Sequence, residues 1–269
     1  MGFRSAAITM VYNESKILPV WLDYYGSNLG YDNLYIIDHG SDDGSTTRIP
    51  GNVIKIPRDE FDDVQRAAFI THLHTALLKS FDCVIYTDCD EFLLPRPDRY
   101  NSLASYLKLQ PHGNNIRAVG IDVMPGNLSL PPVDFSRDIL PQRPYGFLTP
   151  WESKPLVAKI PTQWEPGFHE CNQHSLLDED LWLFHLKLCD IDYAMKRLHV
   201  TRSMKWNLSH NPDSGAHQRR SDQEMRDFFD AVVRGQEPGY LSDLPLTELL
   251  SRGSTSKLRR IPDMFLQYL

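Results

Sequence analysis

The stretch VIYTDCDEFLLP, residues 84–95, places three acidic side chains directly behind an apolar run. The run is typical of a buried strand, and Asp88, Asp90 and Glu91 crowd together where it ends. Carboxylates this close repel one another unless a positive charge lies among them. Asp88 and Asp90 can present oxygens to one divalent cation, and oxygen ligands suit Mg²⁺ and Mn²⁺. A solvated acidic loop is the alternative, but the buried strand favours a metal or substrate site.

Strands and helices alternate around this stretch. Short apolar runs rich in strand-forming residues predict strands, and longer segments with apolar residues at helical spacing predict helices. The predicted strands are residues 6–11, 34–37, 52–56, 83–87 and 117–124, and the predicted helices are residues 14–30, 58–81 and 101–109. The second helix is expected to bury the side that carries Val64, Ala68, Thr71, Thr75 and Leu78. The alternation predicts an α/β fold with a mostly parallel central sheet and helices on both faces.

The predicted sheet has one edge that gathers polar residues. In such sheets ligands bind beyond the carboxyl ends of the strands. The loops after the first, second and fourth strands open on that edge and carry Asn13 with Glu14, residues 38–43 and residues 88–91. Asp38 leaves its strand where a carboxylate can accept hydrogen bonds from a ribose or a base, although the same residues also suit an ordinary turn.

The composition argues against several classes of function. The chain has 269 residues and a formal charge of −7, whereas binding to a nucleic acid backbone needs clustered Lys and Arg. The four cysteines form no CxxC pair, so no zinc knuckle is indicated. The first residues lack a signal peptide's apolar region, and no run approaches the ~20 apolar residues of a membrane span. We therefore expect a cytoplasmic protein with no transmembrane segment and no nucleic acid partner.

The half of the chain after residue 125 is rich in proline and allows two interpretations of each polar feature. His185 interrupts the apolar strand LWLFHLKL, as either a core histidine or a metal ligand would. The region 125–153 contains Trp151 and other aromatic residues, which suit an acceptor sugar or a packed loop. Arg66 and the basic residues of the last third indicate a solvated surface or a pyrophosphate clamp. From about residue 214 we expect a charged and less regular segment.

Three segments together resemble the family 2 glycosyltransferases, which have the GT-A fold. They are ITMVYNE (8–14), YIIDHGSDDGS (35–45) and IYTDCDEFL (85–93). The branch with a D-x-D-E-F motif, also similar to family 92, matches best, and looser similarity continues in KPLVAKI…GFHE (154–170) and LFHLKLCDIDYAMKR (183–197). The resemblance implies a GT-A-like, Rossmann-type sandwich with an irregular C-terminal extension. Its expected divisions are a catalytic domain over 1–213, with a nucleotide-binding half (1–125) and an acceptor-binding half (126–213), and an extension or lid over 214–269.

The resemblance also implies a function. The expected reaction moves a sugar from a nucleoside diphosphate sugar, with a UDP-sugar favoured, to the hydroxyl of a glycan or other acceptor. It would use Mn²⁺ or Mg²⁺, invert the anomeric centre and serve glycan or polysaccharide synthesis. His39 stands where many members have a second acid, which leaves the nucleotide base open.

The matching motifs assign roles to individual residues. The positions expected to face the nucleotide are Thr9, Val11, Asn13, Glu14, Asp38 (base or ribose), Arg66 (diphosphate) and Asp88 (ribose or metal). The expected metal ligands are Asp90, Asp88 and His185. The candidates for a general base are Glu170 and His169 first, then Glu165, Glu152 and Asp122.

Two other functions remain open on the sequence. A metal-dependent phosphoester hydrolase would also use Asp and His around a cation, but two-metal sites generally need more ligands at close spacing. A sugar-nucleotide binding protein without catalytic activity would keep metal binding and show no turnover.

Overall fold

A computed structural model describes residues 2–109, 113–209, 215–251 and 253–269, and within these ranges ten strands form one sheet. The strands are β1 (Ser5–Val11), β2 (Leu34–His39), β3 (Asn52–Ile56), β4 (Cys83–Tyr86), β5 (Glu91–Pro95), β6 (Asn115–Met124), β7 (Tyr145–Leu148), β8 (Val157–Ala158), β9 (Leu176–His185) and β10 (Arg259–Arg260). The helices are α1 (Leu18–Leu29), α2 (Asp63–Leu77), α3 (Leu103–Leu109), α4 (Ile191–Ser203), α5 (Asp222–Arg234) and α6 (Leu246–Ser251). In the described ranges no helix combines the length and apolar character that crossing a membrane requires.

The first half of the sheet is wholly parallel. Its order is β4-β1-β2-β3, and Val11 at the end of β1 pairs with Asp38 at the end of β2. The chain moves in one direction from β1 through α1 to β2 and in the opposite direction from β3 through α2 to β4. Right-handed crossovers therefore place α1 and α2 on opposite faces of the sheet. The predicted α/β class is confirmed.

The second half of the sheet is mixed. β6 runs parallel to β9 and antiparallel to β7 and β8, and β8 joins this half to β4. β5 begins at the acidic stretch and pairs antiparallel with β9, with Glu91 opposite His185. β5 is not predicted from the sequence, because its strand character depends on the pairing with β9. The pairing with β9 brings the acidic stretch to His185.

The C-terminal part contributes to the same body. β10 pairs with β7, and α5 buries Met225 and Phe229 in a cluster that includes Leu198 of α4. Ser221 and Glu224 form a capping box that begins α5, so a regular helix lies in the segment expected to be irregular. The predicted boundary at residues 213 and 214 lies outside the described residues, and the division into domains stays a prediction.

The buried side of α2 differs from the predicted one. The predicted side includes Val64, which is 40% exposed, whereas the residues that α2 buries are Ala67, Ile70 and His74. His74 is fully buried against the Trp164 ring, with the two ring centres 4.8 Å apart and nearly perpendicular. The apolar pattern does not predict the buried side of α2, because Trp164, which is distant in the sequence, packs against His74.

We expect replacement of His74 by leucine to make the stability less sensitive to acid. Burial lowers the pKa of His74 from 6.5 to about 4, so the unfolded chain binds a proton more readily than the folded one. The contribution of the neutral ring is fully present above pH 6.5 and is lost as the pH falls toward 4. Between pH 7.5 and pH 5 the wild type should lose about 2 kcal/mol more unfolding free energy than the His74→Leu variant.

Urea unfolding at the two pH values measures this difference. The matched control is His72→Leu, which changes an exposed histidine of the same helix and should leave the pH dependence as in the wild type. Equal pH dependence in the wild type and His74→Leu would contradict the assignment.

Candidate active site

Three loops meet at the carboxyl edge of the parallel strands, as the sequence predicts. They follow β1, β2 and β4, which are neighbours that run in the same direction. Asn13 ties the first loop to the second, because its amide group donates to the Asp42 carboxylate at 2.8 Å and accepts from the Asp42 N–H at 2.9 Å. Asn13 has a φ of 53°, a left-handed conformation that Asn adopts more readily than most residues. The loops after β1 and β2 therefore form one connected surface.

Asp88 is held at the end of β4 by a tyrosine and an arginine. Its Oδ1 accepts hydrogen bonds from the Tyr86 hydroxyl at 2.7 Å and from Arg66 Nη1 at 3.2 Å. The backbone N–H of Asp88 donates to the Glu91 carboxylate at 2.9 Å. The Asp88 side chain is 30% exposed and lines a cleft. Since both side-chain bonds use Oδ1, Oδ2 is available to a ligand there.

Asp90 and His185 lie next to each other in the same cleft. His185 Nε2 is 3.6 Å from Asp90 Oδ2, too far for a hydrogen bond, whereas His185 Nδ1 is 2.6 Å from Asp122 Oδ1. Burial alone would raise the pKa of Asp90, but His185 and the cations Lys187 and Arg197 hold it well below its usual range. Asp90 is therefore ionised at neutral pH. Burial opposes a proton on His185, but Glu152 and Asp90 raise the pKa of the ring, so a metal that bound Nε2 would replace a proton there.

The chemistry of these side chains fits a divalent cation. Asp88, Asp90 and His185 offer carboxylate oxygens and an imidazole nitrogen, a set that suits Mn²⁺ and, through its oxygens, Mg²⁺. The 3.6 Å between Asp90 Oδ2 and His185 Nε2 is compatible with an ion bonded to both atoms. Asp122 holds the other ring nitrogen, as carboxylates commonly do for metal-binding histidines. The predicted ligands are thus brought together.

A second group of acids lies deeper, where a lysine balances its charge. Ligand atoms of Glu91, Glu152 and His185 lie within 4.8 Å of one another, a spacing that a metal could use. The buried Lys154 ammonium, however, forms an ion pair with Glu91 and lies 3.0 Å from Glu152 Oε2. Burial raises the pKa of Glu91, and Lys154 opposes that rise. We assign the positive charge at this position to Lys154 and not to a metal.

The cleft itself encloses about 760 Å³, part of it open to solvent. Besides the acids, it is lined by four cationic side chains, namely Arg58, Arg66, Lys187 and Arg197. Gln218, from the segment that follows α4, also lines it, while a lid role for the C-terminal part stays a prediction.

Arg197 joins α4 to the loop after β1. It forms an ion pair with Glu14 and donates to the backbone carbonyls of Asn13 at 2.6 Å and of Tyr12 at 3.3 Å. Burial raises the pKa of Glu14, and Arg197 opposes that rise. Helix α4 is thereby fixed against the edge where the three loops meet.

Arg58 brings a positive charge that no acid neutralises among the described residues. Its Nη1 lies 3.2 Å from His39 Nδ1, and its guanidinium carbon lies 4.0 Å from the centre of the Tyr12 ring. Burial lowers the pKa of His39 to about 4, with a further contribution from Arg58, so His39 is neutral. Burial and the nearby Arg66 and Arg197 also lower the pKa of Arg58 itself. Excess positive charge of this kind attracts an anion, and guanidinium groups suit phosphate oxygens.

The predicted nucleotide-binding residues occupy different settings. Those that line the cleft are Val11, Glu14, Arg66 and Asp88. Thr9 is fully buried within β1, and the side chain of Asn13 connects two loops. Any contact between these two side chains and a nucleotide stays a prediction.

Asp38 stabilises its own loop, and its predicted contact with a ribose or a base stays a prediction. Its Oδ1 accepts from the Ser41 N–H at 2.8 Å and its Oδ2 accepts from the Thr46 hydroxyl at 2.6 Å. Burial alone would raise the pKa of Asp38, but these hydrogen bonds lower it. The side chain is buried with both oxygens occupied, so the neighbouring His39 lines the cleft in its place.

Glu170 and His169, the first candidates for a general base, differ in their surroundings. The Glu170 carboxylate is 64% exposed and forms an ion pair with Arg117 at 2.8 Å. His169 is partly buried, and its Nδ1 lies 2.6 Å from the Trp151 carbonyl oxygen. None of the described contacts brings Glu170 to Asp90, and both base assignments stay predictions.

Asp122 and Glu152, ranked lower from the sequence, adjoin His185. Asp122 lies opposite His185 in the parallel pairing of β6 with β9 and accepts its hydrogen bond, and Glu152 Oε1 is 3.5 Å from His185 Nδ1. An acid inside the apolar strand β6 is itself a signal of a special role, because burial of an unpaired charge is costly. Glu152 has no comparable local signal.

The solved structures that resemble the chain include two distant matches. No protein-family model and no curated protein matches the chain. A mannosyltransferase from Pyrobaculum calidifontis, solved in complex with GDP-Man and Mn²⁺, is 14% identical with a TM-score of 0.37, covering 93% of this chain and 79% of that one. A mannose-1-phosphate geranyltransferase from Thermus thermophilus is 8% identical with a TM-score of 0.32, covering 94% and 68%. Because both TM-scores are below 0.5, these likenesses carry no information on what the cleft binds.

Proposed function

We propose that the protein is a metal-dependent glycosyltransferase that binds a nucleoside diphosphate sugar in the cleft and transfers the sugar to an acceptor hydroxyl. The observation that carries the proposal is that metal-binding side chains and cationic side chains line the same cleft. Asp88, Asp90 and His185 line a cleft that is also lined by Arg58, a cation without an acidic partner among the described residues. A nucleoside diphosphate with its cation is the ligand class that needs both.

The acids and His185 would hold the cation. When bound, the ion would act as a Lewis acid toward the departing nucleoside diphosphate. Asp90 is suited to direct ligation because its carboxylate stays ionised despite burial. Asp88 would bind the ion or the ribose through Oδ2, and Asp122 would keep the His185 ring in orientation.

The arginines would bind the diphosphate. Arg66 is fixed before any ligand arrives, because Nε donates to Asp63 at 2.8 Å and Nη1 donates to Asp88 at 3.2 Å. Its guanidinium also lies over the Phe168 ring, 4.9 Å from the ring centre. Arg58, which has no acidic partner among the described residues, supplies charge that the ligand would neutralise. Preorganised charge of this kind costs little reorganisation during the reaction.

The finer features of the reaction are also proposals. We infer a UDP-sugar donor, inversion of the anomeric centre and a role in glycan or polysaccharide synthesis. Inversion requires a general base near the acceptor hydroxyl. Of the two first candidates we favour His169 over Glu170, because the Glu170 carboxylate is already bound by Arg117.

A thermal-shift panel of UDP, GDP, CDP and dTDP, each with and without Mn²⁺, tests the proposal. A ligand that binds only the native state raises the apparent stability. We expect one nucleotide to raise the melting temperature only when Mn²⁺ is present, and the matching nucleotide sugar to lose its sugar to an acceptor. No shift with any nucleotide would refute the proposal. Turnover to free sugar regardless of acceptor would indicate a hydrolase, and binding without turnover a binding protein.

The variant Arg58→Gln is expected to weaken binding of that nucleotide by about 10-fold to 100-fold, because one charge-assisted hydrogen bond to phosphate contributes about 1.5–3 kcal/mol. The melting temperature without ligand should not fall, since Arg58 lies close to other positive charges. Calorimetric titration measures the affinity. The control Arg99→Gln removes an arginine from a surface ion pair with Asp180 and should bind as the wild type does. Unchanged affinity in Arg58→Gln would argue against an anion at this position.

A further inference from the structure

Trp151 is an exposed aromatic ring beside buried acids. It is 66% exposed, and the next residue, Glu152, is buried with Oε1 3.5 Å from His185 Nδ1. The tryptophans that are at most 3% exposed are Trp21, Trp164 and Trp182. A single exposed apolar residue is common and needs no explanation by itself. Its position is informative, because Trp151 directly precedes Glu152, one of the acids around His185.

The His169 ring lies against Trp151 and has one nitrogen free to accept a hydrogen bond. The two ring centres are 5.6 Å apart and nearly perpendicular. His169 Nδ1 lies 2.6 Å from the Trp151 carbonyl oxygen, which can only accept, so Nδ1 carries the hydrogen. Burial, with a contribution from Lys154, lowers the pKa of His169 and favours the neutral ring. Nε2 then keeps its lone pair and accepts from a donor such as a hydroxyl.

The turn before His169 fixes this ring relative to the candidate active site. Gly167 and Phe168 have φ values of 81° and 61°, and an added Cβ at Gly167 would come within 2.8 Å of the His169 ring. Phe168 is buried and stacks on Tyr86 with ring centres 4.0 Å apart. The Tyr86 hydroxyl in turn donates to Asp88. The two-ring unit is therefore connected through packed side chains to the site expected to hold the donor.

We propose that Trp151 and His169 form the acceptor subsite and bind a sugar ring, with the C–H face of the sugar on the indole and a hydroxyl donating to His169 Nε2. The inference rests on the proposed function and specifies its acceptor as a carbohydrate. A flat apolar ring next to a neutral hydrogen-bond acceptor matches a pyranose, which offers an apolar face and hydroxyl donors at its rim. A phosphate or carboxylate would find no cation in this pair of rings.

Fluorescence quenching by acrylamide tests the subsite directly, because Trp151 is the more exposed of the two tryptophans that are not buried, the other being the half-buried Trp206. The probes are the methyl glycosides of glucose, galactose, mannose and N-acetylglucosamine, added with Mn²⁺ and the nucleoside diphosphate that gives the thermal shift. We expect at least one glycoside to reduce the accessible fraction of emission at least twofold. Absence of protection by all four would overturn the proposal.

Variants assign the protection to the two rings. Trp151→Leu should remove the effect of the glycoside and leave the weaker quenchable emission of the half-buried Trp206. His169→Ala should keep the quenchable emission and raise the half-saturating glycoside concentration by about 10-fold, the loss expected for one hydrogen bond, and His169→Gln should restore part of the affinity because its amide oxygen accepts. The control is Tyr268→Ala, which removes an exposed aromatic ring elsewhere. Glycoside protection that is unaffected by His169→Ala would also overturn the proposal.

The two proposals fail in different ways. If no nucleotide with Mn²⁺ stabilises the wild type, the donor cleft is wrong regardless of Trp151. If the nucleotide stabilises both the wild type and Trp151→Leu, but no glycoside protects Trp151 in the wild type, the donor cleft holds and the acceptor subsite is refuted.

Discussion

The variant Asp90→Asn is expected to lose Mn²⁺-dependent binding of the nucleoside diphosphate by at least about 100-fold. This exceeds the range of roughly 10-fold to 100-fold for residues that only support a metal ligand, because Asp90 would bond the metal itself. The substitution keeps the size of the side chain and removes the negative charge of a carboxylate that the surroundings keep ionised. The fold should persist because asparagine fits the same space, although loss of the ion pair with His185 lowers the unfolding free energy. Titration calorimetry of the nucleotide with and without Mn²⁺ measures the loss.

The matched control for this variant is Asp43→Asn. It removes the same charge from an exposed position on the same edge of the sheet, and its amide oxygen can keep the hydrogen bond from the Ser45 N–H at 2.9 Å. We expect the control to bind the nucleotide and Mn²⁺ as the wild type does. If Asp90→Asn and Asp43→Asn bind equally well, Asp90 is not a metal ligand.

The second large effect is expected at Lys154. Replacement by methionine should lower the unfolding free energy by about 3–5 kcal/mol, because it leaves buried carboxylates without their counter-charge. Glu91 is 1% exposed and Glu152 is 8% exposed, so water cannot replace the ammonium. The loss should be smaller at pH 5 than at pH 8, since burial raises the pKa of Glu91 and a protonated Glu91 no longer needs a cation.

Urea unfolding at both pH values measures the Lys154→Met effect, with Lys79→Met as the control. Lys79 is exposed just after α2, and its replacement should change the unfolding free energy by less than about 0.5 kcal/mol. The double variant Lys154→Met/Glu91→Gln should recover part of the loss, because it removes one of the orphaned charges. A Lys154→Met protein as stable as the wild type would show that another cation balances these acids.

The parallel half of the fold is predictable from sequence because β1, β2 and β4 are largely buried and form short apolar runs. The predicted strand 52–56 has the bounds of β3, and β1, β2 and β4 are found where expected. β5 escapes prediction because its strand character depends on pairing with β9, about 90 residues later. The buried side of α2 escapes for a similar reason, since Trp164 lies outside the helix and determines which side is covered.

The residues of the candidate site also differ in whether local sequence or distant packing determines their role. Asp88, Asp90 and Arg66 come from local motifs on elements whose direction is predictable, and the structure brings them together. Lys154 and Arg58 lie in short charged segments that resemble ordinary surface loops. Their role depends on what packs over them, and strand pairing decides that: β8, just after Lys154, pairs with both β4 and β6.

The bonds between Arg197 and the loop after β1 have a consequence for how the protein matures during synthesis. They connect residues 184 and 185 positions apart in sequence. At about 5–20 residues per second, roughly 10 to 40 s separate the emergence of the two partners from the ribosome. During that interval the parallel strands of the nascent chain can already begin to pair. Arg197 is not yet present to bind Glu14 and the loop after β1. Competence to bind ligand is therefore acquired late, after most of the polypeptide has been made.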